Sequence, residues 1–103
     1  MARVHKAIDD GVVFVSAAVA WEIEIKKRLG KLQFPDNFQE LSAGEDFRDL
    51  PVTIVHAIAA GRLPLHHRDP FDRLLIGQAQ CERLTIVTGD VRFKAYDVDL
   101  ILA

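Results

Sequence analysis

Three acidic residues of this sequence lie where catalytic or metal-binding side chains gather in α/β proteins. Asp90 directly follows a β-rich run over 84–88, and Glu22 lies within two turns of the start of the helix that follows the first strand. Asp72 lies in the first turn of a helix that leads into the 84–88 strand, and such a crossover helix begins at the carboxyl edge of a parallel sheet. Carboxylate oxygens gathered without thiolates suit a hard divalent ion such as Mg²⁺ or Mn²⁺.

Each acid also has an ordinary structural explanation. Asp69 and Asp72 suit the cap and the first turn of a helix, where the helix dipole favours negative charge. Lys26 follows Glu22 by four residues, which is the spacing of a surface ion pair on a helix. Asp90 equally suits a turn or the cap of a following short helix. The residues alone therefore leave both explanations open at every position.

The elements that must position these acids alternate between strands and helices. Ser16 can cap the helix after the first strand, Gly30 can end it, and Pro70 after Asp69 is a strong helix start. We predict strands over 12–15, 51–54, 84–88 and 98–102, and helices over 2–10, 17–29, 35–42, 56–60 and 70–82, with a short helix through Tyr96. The stripe of the 17–29 helix that we expect to face the core is formed by Ala18, Trp21, Ile25 and Leu29. The alternation predicts an α/β fold in which helices cover both faces of a mainly parallel sheet.

Length and charge limit the classes of protein to which the chain can belong. With 103 residues we expect a single domain over 1–103. The single Cys81 excludes an internal disulfide and favours a reducing, cytosolic setting, and the apolar run over 12–21 is too short to span a membrane. The 13 basic and 15 acidic residues give a net charge of −2, so any nucleic-acid contact must be local. Two basic clusters suit either such a contact or a solvated face, one over 26–31 and one formed by Arg62, His66, His67, Arg68 and Arg73.

Several stretches of the chain match a known pattern in their residues and in their order. They are Val15 to Ile23 with Lys26, Gly30-Lys31-Leu32, Leu50-Pro51-Val52-Thr53, His66 to Ile76 with Gln78-Ala79, and Val87-Thr88-Gly89-Asp90 with Phe93 and Tyr96. On these stretches the chain resembles the PIN-domain family, specifically the VapC-like toxin ribonucleases of bacterial toxin–antitoxin pairs. The resemblance covers nearly the whole chain and implies a PIN-like, Rossmann-like three-layer α/β fold.

The resemblance also implies metal-dependent endonucleolytic cleavage of RNA in the cytoplasm. Glu22, Asp72 and Asp90 correspond to three of the family's acidic positions and would hold one or two Mg²⁺ or Mn²⁺ ions, which activate water for in-line attack on phosphorus. The implied accessory residues are Asp69, Thr88 and Ser16, and the implied RNA contacts are Lys26, Arg68 and Arg73. The implied partners are RNA, a small antitoxin protein and a second copy of the chain in a homodimer, with no membrane contact.

The start of the chain departs from the family pattern. Family members begin with a hydrophobic strand that ends in an Asp, usually in an Asp-Thr-His type motif, whereas residues 1–8 here correspond to the helix that precedes the Val12 strand. The first central strand and its metal-binding Asp are therefore expected to be missing. The gap would be filled by direct pairing of the two neighbouring strands, by a strand from another copy, or it would leave a sheet edge open to a partner.

Three functions remain open at this point. The first is a toxin ribonuclease, active as it stands or only with a first strand encoded upstream of Met1. The second is a catalytically inactive remnant that binds an antitoxin or itself, because a site without its first Asp holds metal weakly. The third is a metal- or phosphate-binding α/β domain of unrelated role, and the family motifs argue against it.

Overall fold

The computed structural model describes residues 4–6, 13–33, 47–66 and 68–102 of the chain. Within these ranges five strands form one sheet: β1 (Val4–Lys6), β2 (Val13–Ser16), β3 (Phe47–Leu50), β4 (Thr85–Thr88) and β5 (Asp99–Leu102). Their order across the sheet is β3-β2-β1-β4-β5. The β2–β3 and β4–β5 pairs are parallel, and β1 is antiparallel to both β2 and β4, so four strands run in one direction. The predicted α/β class with a mainly parallel sheet is confirmed.

β1 fills the centre of the sheet, where the sequence predicted a missing strand. His5 pairs with Phe14 of β2 on one side and with Ile86 of β4 on the other. The predicted helix over 2–10 is therefore wrong at 4–6, and the gap is closed by the chain's own first segment rather than in any of the three expected ways. An extended segment at this place pairs with the backbone groups of both neighbours, which a helix would leave as two open strand edges.

In the described part of the chain, three α-helices and a short 3-10 helix accompany the sheet. They are α1 (Ala17–Arg28), α2 (Ile54–Gly61), α3 (Pro70–Glu82) and the 3-10 helix Val91–Ala95. Ser16 caps α1 as predicted, since its Oγ accepts the N–H of Ala18 at 3.1 Å. After the end of α1, Gly30 has a φ of +71°, a left-handed conformation that glycine adopts without strain. The predicted helix over 35–42 lies outside the described residues.

The predicted strand over 51–54 is wrong, because β3 ends at Leu50. Pro51 has no N–H to donate to a neighbouring strand, and Thr53 begins a helix instead. The Thr53 Oγ1 accepts the N–H of His56 at 3.3 Å, and the His56 Nδ1 accepts the N–H of Thr53 at 3.1 Å. This reciprocal capping box fixes the start of α2, so the chain turns into a helix where its apolar residues alone had indicated a strand.

The apolar stripe predicted for α1 is also wrong in part. Trp21 and Leu29 are 63% and 61% exposed. The buried positions of α1 are Ala18, Val19, Glu22 and Ile23. Val19 and Ile23 form a small core cluster with Leu75 of α3, so the packing of α1 against α3, and not the size of its apolar residues, decides which face is inside.

The main core lies between the sheet, α3 and the 3-10 helix. Three of its side chains are fully buried, namely those of Ile76, Ile86 and Phe93. The whole cluster is formed by Leu50, Leu63, Ile76, Ala79, Leu84, Ile86, Phe93 and Tyr96. Because β3, β4 and α3 all contribute to it, this cluster fixes the start of α3 relative to the strand ends.

The helices α2 and α3 approach each other closely at Gly77. A Cβ atom there would lie 2.9 Å from the backbone nitrogen of Ala60 and 3.0 Å from the carbonyl oxygen of His56. The His56 ring joins the same two helices: its Nδ1 accepts a hydrogen bond, so the ring proton is on Nε2, which donates to Glu82 Oε2 at 2.9 Å. The missing side chain at Gly77 therefore permits the backbone contact on which this helix pair depends.

We expect Gly77→Ala to lower the free energy of unfolding by about 1–3 kcal/mol, because the added methyl group must displace the backbone of α2, which outweighs its gain in helix propensity. Gly61→Ala is the matched control, since a Cβ atom there meets nothing within 4 Å. Urea unfolding of both variants beside the parent chain measures the difference. Equal unfolding midpoints for the two variants would contradict the close approach of the helices.

Candidate active site

The three predicted acids lie on three different elements at the carboxyl edge of the parallel strands. Glu22 is in the second turn of α1, directly after β2, and is only 7% exposed. Asp72 is in the first turn of α3 and is fully buried. Asp90 follows the last residue of β4, Thr88, after one intervening glycine, and is half-buried. Each acid is therefore on the element that the sequence predicted for it.

We call the edge that carries Glu22, Asp72 and Asp90 the acidic rim. Beneath this rim, Ser16 and Gln78 connect the end of β2 to α3. Both side chains are completely buried, and the Ser16 Oγ donates to the Gln78 Oε1 at 2.6 Å. The Gln78 Nε2 donates in turn to the carbonyl oxygen of Pro51 at 3.3 Å, just after β3. The predicted accessory residue Ser16 thus has a structural role as helix cap and as link between β2 and α3.

The two other predicted accessory residues fix the backbone beside the acids. The Asp69 carboxylate accepts the N–H groups of Phe71 at 2.8 Å and of Asp72 at 3.2 Å, and so caps α3. The Thr88 Oγ1 accepts the N–H of Asp90 at 3.1 Å. These are ordinary capping and turn contacts, and each of them also holds one of the acids in place.

Arg92 belongs to this site and is not among the residues predicted from the sequence. Its Nε donates to both carboxylate oxygens of Asp90, at 3.0 and 3.1 Å, and its Nη2 donates to Oδ2 at 2.6 Å. The hydrogen bonds and then the charge of Asp90 raise the pKa of Arg92, and the charges of Asp72 and Asp69 raise it further. The negative charges of three aspartates therefore all favour the charged form of this guanidinium. The signal in the sequence was a basic residue two positions after an acid at a helix start.

The predicted RNA-binding side chains differ in what they contact. Lys26 pairs with Glu22, its Nζ lying 3.3 Å from Oε2. Arg68 is exposed. Arg73 donates to backbone carbonyl oxygens at and after the end of α2, at 2.9–3.0 Å, those of Ala60, Leu63 and Pro64. Arg73 therefore stabilises a helix end, and its contact with RNA stays a prediction.

The donor set suits a hard divalent ion in its chemistry, because it consists of carboxylate oxygens. Among the residues that the structure describes, no three His, Cys, Asp or Glu side chains are close enough together to form a metal-ligand group. Mg²⁺ commonly binds through one or two carboxylates and completes its shell with water and substrate phosphates. The acids therefore fit such an ion if part of its shell comes from solvent and substrate.

β1 itself brings no acid to this rim. Because β1 is antiparallel, its first residue, Val4, pairs with Val87 near the carboxyl end of β4, and its last residue, Lys6, pairs with Thr85. The strand consists of Val, His and Lys. The centre of the sheet is thus filled, whereas the metal-binding Asp that the family pattern expects from the central strand is not replaced by β1.

An aromatic pair connects α1 and α3 beside the acids. Trp21 directly precedes Glu22, and Phe71 directly precedes Asp72. Their rings meet edge to face, with centroids 5.3 Å apart and planes at 70°. Such pairs contribute about 0.5–1.5 kcal/mol beyond their burial, so this contact helps to hold together the two helices that carry the acids.

A family model for the PIN domain matches residues 1–99 of the chain. The chain belongs to the PIN-domain family. PIN domains are generally nucleases, toxins are frequent among them, and they typically act on nucleic acid with divalent metal ions. No curated protein and no solved structure matches this PIN domain. None of the helices in the described ranges is long and apolar enough to cross a membrane.

We expect Ser16→Ala to lower the free energy of unfolding of this PIN domain by about 1–3 kcal/mol, because α1 loses its cap and the buried Gln78 amide loses a partner. In a Gln78→Met background the same change should cost about 1 kcal/mol less, since the buried amide is no longer there to be left unsatisfied. Thermal unfolding of the four proteins measures both costs. The same cost in both backgrounds would show that the Ser16–Gln78 hydrogen bond contributes nothing.

Proposed function

We propose that this PIN domain is a metal-dependent endoribonuclease and the toxin component of a VapC-like toxin–antitoxin pair. The observation that carries the proposal is the placement of Glu22, Asp72 and Asp90 on three elements that meet at the carboxyl edge of the parallel strands, with Glu22 and Asp72 buried. Carboxylates at the carboxyl edge of an α/β sheet suit a divalent ion that completes its shell with water and substrate. Family membership supports the same reaction class.

In this proposal Glu22, Asp72 and Asp90 would hold Mg²⁺ or Mn²⁺, and the bound ion would supply an activated water for in-line attack on phosphorus and offset charge on the leaving oxygen. Asp69 and Thr88 act by position, since each accepts the backbone N–H of one of these acids. Rigid backbone anchoring matters because ligands that are held in place need not be ordered when the ion and substrate arrive.

RNA would reach this rim from the side of the basic residues. Arg68 is exposed one position before the cap of α3, and Lys26 lies one helical turn beyond Glu22 on α1. Arg73 is half-buried in the same helix as Asp72. Because the chain as a whole is not basic, we propose that these side chains provide a local contact with the phosphate backbone.

A protein partner is part of the proposal. α2 carries three large apolar side chains that solvent reaches, Ile54 at 80%, Val55 at 65% and Ile58 at 48% exposure. Neighbouring exposed apolar residues of this kind are typical of protein interfaces. We propose an antitoxin and a second copy of the domain as partners, in the cytoplasm, with residues 1–103 acting as one domain.

The second candidate function is a catalytically inactive PIN remnant that binds an antitoxin or itself. The observation that favours it is the polarity of β1, which occupies the central strand position without bringing an acid to the rim. A site with fewer carboxylates binds a divalent ion more weakly. Cleavage of RNA would then fail, whereas the surface that binds a protein partner would be unchanged.

We expect the purified chain to cleave a mixed single-stranded RNA substrate in Mn²⁺ or Mg²⁺, and to lose this activity in a chelator. Asp90→Asn should lower cleavage about a hundredfold or more, because an amide is a far weaker ligand for the ion than a carboxylate. Asp97→Asn is the matched control, since Asp97 is exposed and precedes β5 at the other edge of the sheet, and it should leave cleavage unchanged.

The outcomes separate the two candidates. Cleavage that needs both the ion and Asp90 supports the nuclease. No cleavage by a chain whose circular dichroism and cooperative unfolding show that it is folded supports the binding remnant. Cleavage that survives both the chelator and Asp90→Asn would contradict a metal-dependent site at this rim.

A further inference from the structure

Asp90 is held by an unusually complete set of hydrogen bonds from a single residue. The Arg92 backbone N–H donates to Oδ1 at 2.9 Å, and the guanidinium adds three contacts to Oδ1 and Oδ2 at 2.6 to 3.1 Å. A carboxylate offers about four acceptor positions on its two oxygens. Three N–H groups of Arg92 therefore engage both oxygens of the carboxylate that the proposed function assigns to the ion, the Nε–H being shared between them.

The pair is asymmetric in its exposure. The side chain of Arg92 is 64% exposed, whereas that of Asp90 is 20% exposed. Asp90 is also anchored through its own N–H, which donates to Thr88 Oγ1. Arg92 can thus move away into solvent without breaking the core, while Asp90 stays at the rim.

A divalent ion at this site and the Arg92 guanidinium would bind the same carboxylate oxygens of Asp90. Both are cations, and direct coordination of an ion by Asp90 removes acceptor positions that Arg92 uses. The ion also brings two positive charges next to the guanidinium, which repel it. The charges of Asp69 and Asp72 also raise the pKa of Arg92.

We infer that Arg92 is a built-in cation that competes with the divalent ion for Asp90 and so sets the ion concentration at which the site loads. This inference rests on the proposed metal-dependent function. Arg92 neutralises the rim when ion is scarce, and ion binding displaces its guanidinium from the carboxylate. Removing Arg92 therefore strengthens ion binding, which is the opposite of what a residue with a supporting role in the site would do.

The test is a direct titration of Mn²⁺, with free ion followed by electron paramagnetic resonance. Arg92→Gln should bind Mn²⁺ about fivefold more tightly than the parent chain, the size expected from removal of one exposed, bidentate ion pair. Arg92→Lys keeps the positive charge but loses the paired N–H donors of the guanidinium. Its Mn²⁺ affinity should lie between those of the parent chain and Arg92→Gln. Lys94→Gln is the matched control, because it removes one positive charge from an exposed position of the same 3-10 helix. It should change the Mn²⁺ affinity less than twofold.

Thermal unfolding gives a second measurement that does not depend on cleavage. At one subsaturating Mn²⁺ concentration, Arg92→Gln should gain more thermal stability from the ion than the parent chain does, because the gain follows the ratio of ion concentration to dissociation constant. In chelator the same variant should unfold at a lower temperature than the parent, since the acids of the rim lose their counter-ion. Lys94→Gln should show neither difference.

The possible results distinguish this inference from the proposed function. Equal or weaker Mn²⁺ binding by Arg92→Gln, with normal binding and cleavage by the parent chain, overturns the competition and leaves the nuclease standing. If Arg92→Gln binds Mn²⁺ measurably and the parent chain does not, the competition is supported, and Arg92 then prevents ion binding in the parent chain. Absence of Mn²⁺ binding by every variant overturns the competition together with the metal-dependent function.

Discussion

The pairing of β1 with both β2 and β4 is the interaction on which the rest of this structure depends. β2 and β3 form one parallel pair and β4 and β5 form another, and within the described part of the chain the backbone of Val4–Lys6 joins the two pairs into one sheet. The acids belong to both halves, Glu22 next to β2 and Asp90 next to β4. Strand hydrogen bonds fix register, so the pairing of these three residues sets the alignment of β2 with β4, the strands beside the two carboxylates. The Ser16–Gln78 link and the aromatic pair of α1 and α3 support the same alignment from the helical side.

Two of the acids at the carboxyl edge each have a cation beside them that lies close along the chain. Lys26 pairs with Glu22 at a spacing of four residues, and Arg92 pairs with Asp90 at a spacing of two. Both cations are more exposed than the acids they contact, so the negative charges are held at the rim while the positive ones can leave. Each pair places a positive charge beside one acid, and exposed pairs of this kind contribute little to the stability of the fold.

Local chemistry made part of this architecture predictable. Asp69-Pro70 at the start of α3 and the β-branched run of β4 predicted elements whose ends agree with the structure to within one residue. Pairings between distant segments were not predictable in the same way. Val4–Lys6 is short and has no alternating pattern of apolar residues, so only the two strands beside it make it a strand. The exposure of Trp21 likewise follows from how α1 packs on α3. At the site, the elements that carry the acids were predictable from the sequence. The contact of the Arg92 guanidinium with Asp90 was not, because it depends on the turn of a 3-10 helix.

The contact between Trp21 and Phe71 also has an optical consequence. Trp21 is the single tryptophan of the chain, so all of its indole emission comes from one place. That place is the seam between α1 and α3, where the ring is 63% exposed and lies 5.3 Å from an aromatic neighbour adjacent to Asp72. The colour and intensity of indole fluorescence depend on local polarity and on nearby groups. The domain therefore carries its own spectroscopic label at the rim, and events there can be followed in solution without any added dye.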